Sequence, residues 1–345
     1  MVTIREVAQL AGVSVSTVSI VINGQAAKRK ISEKTQEKVR QAISELDFQP
    51  SRSARMMRSS TNENPLIAIY WALDTRFGYI DQMMTGLQRG LIETGLNANF
   101  LICPYTPGQL GKETMLFSNY SFQAVIVANT LENDLEFIED HRIKVPCVLF
   151  NRNSQTYHSV TIDNNGIGSC LAQTLKNRDV KTIGILGQQD FMTGMNARSR
   201  SFIQTAESLG MQINRDMVFN FRSSITNGYQ AGEQLCAMAD KNGMPDAFYC
   251  DTDDLAQGLI YAFQKNQVRV PEDIQVVAVG FRRLESNLYL NPSITLVQLP
   301  VEEVALECLF VLREALQQPN LTRINRIIHF HPIQGESTQL PVSEA

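Results

Sequence analysis

The sequence predicts a small all-α head joined to a larger α/β body. Three observations predict it. The 345 residues are too many for one ordinary core and fit two or three domains. Apolar residues recur at helical spacing through residue 48, whereas beyond residue 65 short apolar runs alternate with amphipathic stretches. Charge divides at the same place. Residues 1–60 hold 10 Lys/Arg against 5 Asp/Glu, leaving 21 against 30 in residues 61–345, so the net charge of -4 hides a basic head and an acidic body. A basic head on an acidic body expects an anionic partner for the head alone.

Composition removes other classes. With 43% hydrophobic and 19% charged residues, the chain reads as an ordinary globular protein. No apolar run approaches the ~20 residues of a membrane span. The start, MVTIREVAQLAGVS, carries Glu6 and lacks the apolar core of a secretion signal. The 6 cysteines, at 103, 147, 170, 236, 250 and 308, show no CxxC pairing, which expects reduced buried thiols in a cytoplasmic protein.

In the head, Ile4, Val7, Ala8 and Ala11 share one helical face, and Gly12 ends that helix. Ser14 caps a second helix over 15–23, with Val18, Val21 and Ile22 turned inward. A loop, Gly24–Lys30, carries Lys28, Arg29 and Lys30. A third helix runs from Ser32 to Leu46, with Val39, Ala42, Ile43 and Leu46 as its stripe. Two helices around a short Gly-containing turn make a helix-turn-helix, whose second helix enters the DNA major groove. Val15, Ser16, Ser19 and Ile20 face outward on it. Serine hydrogen-bonds several bases, and Val or Ile touches a thymine methyl. A helical bundle with no DNA role has the same pattern.

The residues of this segment decide between the two. TIREVAQLAGVSVSTVSIVING, Thr3 to Gly24, closely resembles the start of the LacI/purine repressor family of bacterial transcription regulators. That resemblance implies DNA contacts by Thr3, Ser14, Val15, Ser16, Thr17, Ser19, Ile20 and Asn23. Many members carry a polar or basic residue where Ile20 stands, so half-site preference should differ. The loop after Asn23 is longer than in the lactose repressor and resembles the fructose-repressor branch. Its Lys28, Arg29 and Lys30 are either phosphate contacts or a solvated charge run.

FQPSRSARMMRSS, residues 48–60, resembles the family's hinge. Arg52, Arg55 and Arg58 recur every three residues and form one cationic edge if helical. Ala54 permits close approach. By resemblance, Met57 stands where a Leu wedges between base pairs in the minor groove. A basic linker that folds only on DNA is compatible with this.

In the body, strands are expected at 66–73, 97–103, 124–128, 147–151, 159–163, 182–187, 246–251 and 275–280, with helices between most of them. Alternation of this kind gives a parallel sheet with helices on both faces, and ligands bind at the carboxyl ends of its strands. The body resembles the periplasmic-binding-protein-like sensor of the same family. The anchors are Gly86, Asp163-Asn164, Gly166, Gly187, Arg198, residues 269–281 and Pro300. That resemblance implies two doubly wound subdomains, with crossings near 162, 292 and 327. The domains are then 1–48 (DNA-binding head), 49–64 (hinge and linker) and 65–345 (effector-binding and dimerisation core). Within the core, the first subdomain takes 65–162 and 293–327, and the second takes 163–292 and 328–345.

The same resemblance places an effector pocket. Tyr79 and Ile80 fall at an aromatic pair that stacks on ligand, and Asn151 at a position that is often Asp. Arg198 falls at a ligand-binding Arg, and Thr252 at a common Asn. Arg282 and Arg283 replace acidic or amide residues. A guanidinium cannot accept hydrogen bonds from sugar hydroxyls. Arg198 and Arg282 therefore favour an anionic effector, a sugar phosphate or acidic sugar, unless Arg282 and Arg283 face solvent or pair with Glu285. Asp253 reads as structural. His329 and His331, on one face of an expected strand, lack the company of a metal site.

The expectation is a transcription regulator, a repressor of carbohydrate genes. It would act as a cytoplasmic homodimer, nucleoid-associated when bound, on near-palindromic double-stranded operator DNA. A small sugar or sugar-phosphate effector would control it, with no cofactor, no metal and no membrane partner. The alternatives are a solute-binding protein or a sugar-phosphate enzyme on the same core. The basic head opposes the first, and the lack of a nucleophile with an oriented base opposes the second.

Overall fold

The computed structural model describes residues 3–22, 26, 29–46, 64–73, 77–117, 122–188, 193–318 and 321–339. It divides into two units, Met1–Asn62 and Glu63–Ala345.

The described residues of the head form three helices, each started by a hydroxyl. Helix α1 (Ile4–Ala11) opens on a capping box, in which Glu6 N–H donates to Thr3 Oγ1 (3.4 Å) and Thr3 N–H donates to the Glu6 carboxylate (2.6 Å). The capping bonds hold the Glu6 carboxyl below its ordinary range. Gly12 closes α1 at φ 65°, a left-handed conformation that suits glycine. At α2 (Val15–Ile22), Thr17 N–H donates to Ser14 Oγ (3.1 Å). At α3 (Glu33–Glu45), Thr35 N–H donates to Ser32 Oγ (3.2 Å). The axes of α1 and α2 meet at 102°, within the range of a helix-turn-helix. Val7, Ala8, Ala11, Val18, Val39 and Ala42 form a small dry core, flanked by Ile4, Val21, Ile22, Ile43 and Leu46.

The larger unit holds two six-stranded sheets. The first is built from β1 (Leu66–Ala72), β2 (Asn99–Tyr105), β3 (Ala124–Ala128), β4 (Cys147–Phe150), β5 (His158–Ile162) and β11 (Asn325–Ile328), in the order β11-β5-β4-β3-β1-β2. Its helices are α4 (Phe77–Thr94), α5 (Glu132–Asp140) and α11 (Val301–Gln317). The second is built from β6 (Thr182–Gln188), β7 (Gln212–Phe221), β8 (Ala247–Cys250), β9 (Gln275–Gly280), β10 (Thr295–Gln298) and β12 (His331–Ile333), in the order β12-β10-β9-β8-β6-β7. Its helices are α6 (Asn164–Lys176), α7 (Thr193–Ser208), α8 (Ile225–Asn242), α9 (Asp253–Lys265) and α10 (Leu284–Leu288). Every pairing is parallel except β10 with β12. The central strands β3, β4, β8 and β9 are buried throughout, which is why they read as unbroken apolar runs.

The chain passes from the first sheet to the second after Ile162, back after Gln298, and across again after Ile328. The expected second crossing near 292 is corrected. Thr295–Gln298 pairs with Val277–Gly280 of β9, so 293–298 belongs with the second subdomain. The expected strand through His329 and His331 is also corrected. Strand β11 ends at Ile328 and the antiparallel β12 begins at His331, with Pro332 opposite Val297. All three passages leave from carboxyl ends of parallel strands. The carboxyl edges of the two sheets therefore face one another across a cleft, where such folds bind ligands.

Close helix packing stiffens each half. A Cβ on Gly86 of α4 would lie 2.2 Å from the Glu302 carbonyl oxygen of α11, so only glycine lets these two helices approach so closely.

Candidate functional site

Two surfaces can carry function, the outer face of α2 and the cleft. On α2, Val15 and Ser16 are exposed, while Thr17, Ser19 and Ile20 are half-buried. Thr3 and Ser14 begin α1 and α2, and their hydroxyls are engaged there. Thr3 Oγ1 contacts Glu6 (2.9 Å), and Ser14 Oγ contacts Thr17 Oγ1 (2.9 Å). Arg29 and Lys30 lie exposed in a turn, Lys30 at φ 56°. The remaining expected DNA contacts, Asn23, Lys28, Arg52, Ala54, Arg55, Met57 and Arg58, lie outside the described residues.

The first wall of the cleft comes from the ends of β3, β4 and β5. Arg152 is buried and ties two of these ends together, donating from Nε to the Thr130 carbonyl (3.0 Å) and from Nη1 to the Asn151 carbonyl (2.7 Å). Asn151, in the left-handed region at φ 53°, accepts at Oδ1 from Ile162 N–H (3.2 Å) and Asn164 Nδ2 (3.3 Å). Near these fixed points three polar atoms are buried with no hydrogen-bond partner among the described residues: Asn129 Nδ2 and Thr130 Oγ1, which follow β3, and Asn164 Oδ1, which opens α6 of the second subdomain. A buried polar atom left unbonded costs about 1–3 kcal/mol. Asn129 and Thr130 follow directly on the last residue of β3, so a polar pair just past a buried strand was the signal that could have found them.

Most polar side chains of the second wall are bonded to a neighbouring element. Asp253 accepts from Phe281 N–H (3.1 Å) and Arg282 N–H (2.9 Å). Burial nevertheless pushes its carboxyl up to about 6, with Asp254 adding to the rise and the two N–H donors and Arg282 opposing it. Ser199 Oγ donates to Asp251 (2.5 Å). Burial also drives the Tyr249 hydroxyl well above its ordinary value, with the Asp251 charge second. The Arg198 guanidinium is buried and lies 5.2 Å from the centroid of the Phe281 ring.

Several expected pocket residues sit differently. Tyr79 is not at a loop. It lies inside α4, and its buried ring packs against Trp71 (5.8 Å between centroids), Phe150 (5.9 Å) and Phe281 (5.9 Å). Ile80 packs half-buried against the same core. Thr252 caps α9, accepting from Leu255 N–H (3.3 Å) and bonding Ser223 (2.8 Å). The Arg282 charge is compensated, because Nε donates to Asp254 (2.5 Å). Arg283 pairs with Asp81 (2.8 Å) and Glu302 (3.2 Å), not with Glu285. Among the described residues, no cluster of His, Cys, Asp or Glu could hold a metal. No single described helix is long and apolar enough to cross a membrane.

A helix-turn-helix head on the same chain as a two-sheet cleft defines a class, DNA-binding regulators with a sensor-type core. Comparison with known proteins agrees in both parts. The model of bacterial regulatory proteins of the lacI family matches residues 3–51, and that of the periplasmic binding protein-like domain matches residues 172–338. The crystal structure of a LacI family transcription regulator from Clostridium acetobutylicum is 30% identical, covers 79% of this chain and 99% of its own, and superposes with a TM-score of 0.74. The HTH-type transcriptional repressor PurR of Vibrio cholerae is 28% identical over 338 residues, 96% of each chain. The lac repressor dimer bound to operator and the anti-inducer ONPF shares the fold at 19% identity, with a TM-score of 0.68 over 98% of this chain and 99% of that one. This chain belongs to the LacI family of bacterial regulatory proteins. It is a DNA-binding transcription repressor and not an enzyme.

Proposed function

We propose that the chain is a cytoplasmic homodimer that represses carbohydrate-metabolism genes from a near-palindromic operator, released or engaged by a small polyhydroxylated effector. The observation that carries the effector reading is the set of buried unbonded atoms near the strand ends. Asn129 Nδ2, Thr130 Oγ1 and Asn164 Oδ1 offer a donor, a donor-acceptor and an acceptor to a ligand rich in hydroxyls. An effector bound there recovers hydrogen bonds that the protein alone lacks. The anionic character expected of the effector, a sugar phosphate or acidic sugar, now rests on Arg198, because Arg282 is committed to Asp254.

On the DNA side, Val15, Ser16, Ser19 and Ile20 read base edges from α2, and Arg29 and Lys30 contact phosphates. The operator and the effector are tested together. Genomic fragments retained by the protein are sequenced, and their affinity is followed against salt. Sugars, sugar phosphates and sugar acids are then screened for thermal stabilisation and for a change in fragment binding. A salt-independent affinity, or stabilisation by no polyhydroxylated compound, would overturn the corresponding half of the proposal.

A further inference from the structure

Arg283 starts α10 on the second subdomain, yet its guanidinium is spent on the first. Nε donates to Asp81 Oδ2 (2.8 Å), Nη2 to Thr85 Oγ1 (2.9 Å) and Nη1 to Glu302 Oε1 (3.2 Å). Asp81 and Thr85 lie one turn apart on α4, and Glu302 lies in the first turn of α11. The close approach at Gly86 fixes α4 and α11 against each other, so the three acceptors form a preset receptor. Beside it, Gln82 Nε2 donates to the Phe281 carbonyl (2.6 Å), a buried bond between the same two subdomains. The backbone passages between the subdomains lie elsewhere, at 162, 298 and 328.

We propose that Arg283 is a non-covalent clasp that holds the two subdomains closed and so sets the opening of the cleft. The ion pairs are partly exposed (42% for Arg283, 52% for Asp81, 25% for Glu302), so the clasp is weak and salt-sensitive. Weakness suits a switch, since both states must remain populated for a ligand to choose between them. Opening breaks all three Arg283 bonds together with the Gln82 bond. It also withdraws Phe281 from Tyr79.

That last movement has a built-in reporter. The chain has 1 tryptophan, Trp71, which is buried against Tyr79, and Tyr79 in turn touches Phe281. When Phe281 leaves, water and quencher reach the aromatic cluster.

The test is acrylamide quenching of Trp71 in the full chain, because acrylamide is uncharged. Arg283→Gln should raise the quenching constant by about twofold and red-shift the emission. NaCl at ~1 M should move the wild type toward the variant and leave the variant nearly unchanged, because the clasp it would screen is gone. Asp81→Asn should act in the same direction, and circular dichroism confirms that each variant is folded. If Arg283→Gln does not fold, the wild-type salt response against its loss in Asp81→Asn decides the matter. Equal quenching in wild type and variant, or equal salt responses in both, overturns the clasp. The measurement uses neither DNA nor effector, so its failure leaves the repressor reading standing.

Discussion

The two walls of the cleft solve opposite problems. On the second wall, Asp251, Thr252, Asp253 and Arg282 are each bonded to a neighbouring element, and the Arg198 guanidinium lies against Phe281. On the first wall, Arg152 and Asn151 hold the strand ends rigid, and Asn129 Nδ2 and Thr130 Oγ1 stay unbonded among the described residues. A wall whose side chains are mostly bonded resists change because they already stabilise something. A wall with buried unbonded atoms carries a standing cost that a ligand can relieve. Stability and responsiveness thus rest largely on different side chains, and mutations should separate them.

The largest expected effect is a pH dependence on the second wall. The folded carboxyl of Asp253 titrates at about 6, above its ordinary 3.8, so the native state holds the proton more tightly than the unfolded chain. Its stabilising contribution is complete below pH 3.8 and is lost as pH rises through 6, an effect of about 3 kcal/mol. Asp253→Asn has no such titration. Its urea midpoint should gain on the wild type between pH 4 and 6 and then hold a constant lead. A lead that does not change with pH would break the assignment.

Next comes the rigid frame of the first wall. Asn151→Ala removes the acceptor for Ile162 N–H and places Ala in a left-handed conformation, costing about 2 kcal/mol in denaturant unfolding. Asn151→Gly should cost less, because glycine tolerates the backbone. A control lies outside the cleft. Ser14→Ala removes the α2 cap and should weaken helix and fragment binding by about 1 kcal/mol, with thermal stabilisation by any effector unchanged.

The smallest stability cost should accompany the sharpest functional loss. Thr130→Val loses no hydrogen bond among the described residues and removes a buried unbonded hydroxyl, so its unfolding should be no easier than that of wild type and harder by up to about 1 kcal/mol. Stabilisation by a polyhydroxylated effector should nevertheless fall sharply. Undiminished stabilisation in Thr130→Val would remove that hydroxyl from the binding wall.

Legibility in the sequence followed the same division between local and distant causes. The head was readable because its signals are adjacent in the chain. Thr3 with Glu6, Ser14 and Ser32 mark the start of each helix, and Gly12 marks the end of the first. Buried strands such as AVIVA and QVVAVG were readable from their unbroken apolar runs. Strand β7, QINRDMVFNF, was not, since as an edge strand it alternates and carries polar residues. Strands β10, β11 and β12 are only three or four residues long. The cleft was the least legible part. Whether Arg282 presents a charge depends on Asp254, 28 residues earlier, and whether Tyr79 faces a ligand depends on Phe281, 202 positions away. One-dimensional spacing carries no information about such pairings.

The weaving of the chain between the two sheets has a consequence for synthesis. The first sheet is not complete until β11 at residues 325–328 pairs with β5, and the second waits for β12 at 331–333. The three helices of the head need nothing beyond residue 46 for their own packing. A ribosome therefore finishes the DNA-reading module almost three hundred residues before it can finish the module that governs it. A message cut short within the body leaves the head's own packing complete and the sheets of the body unfinished.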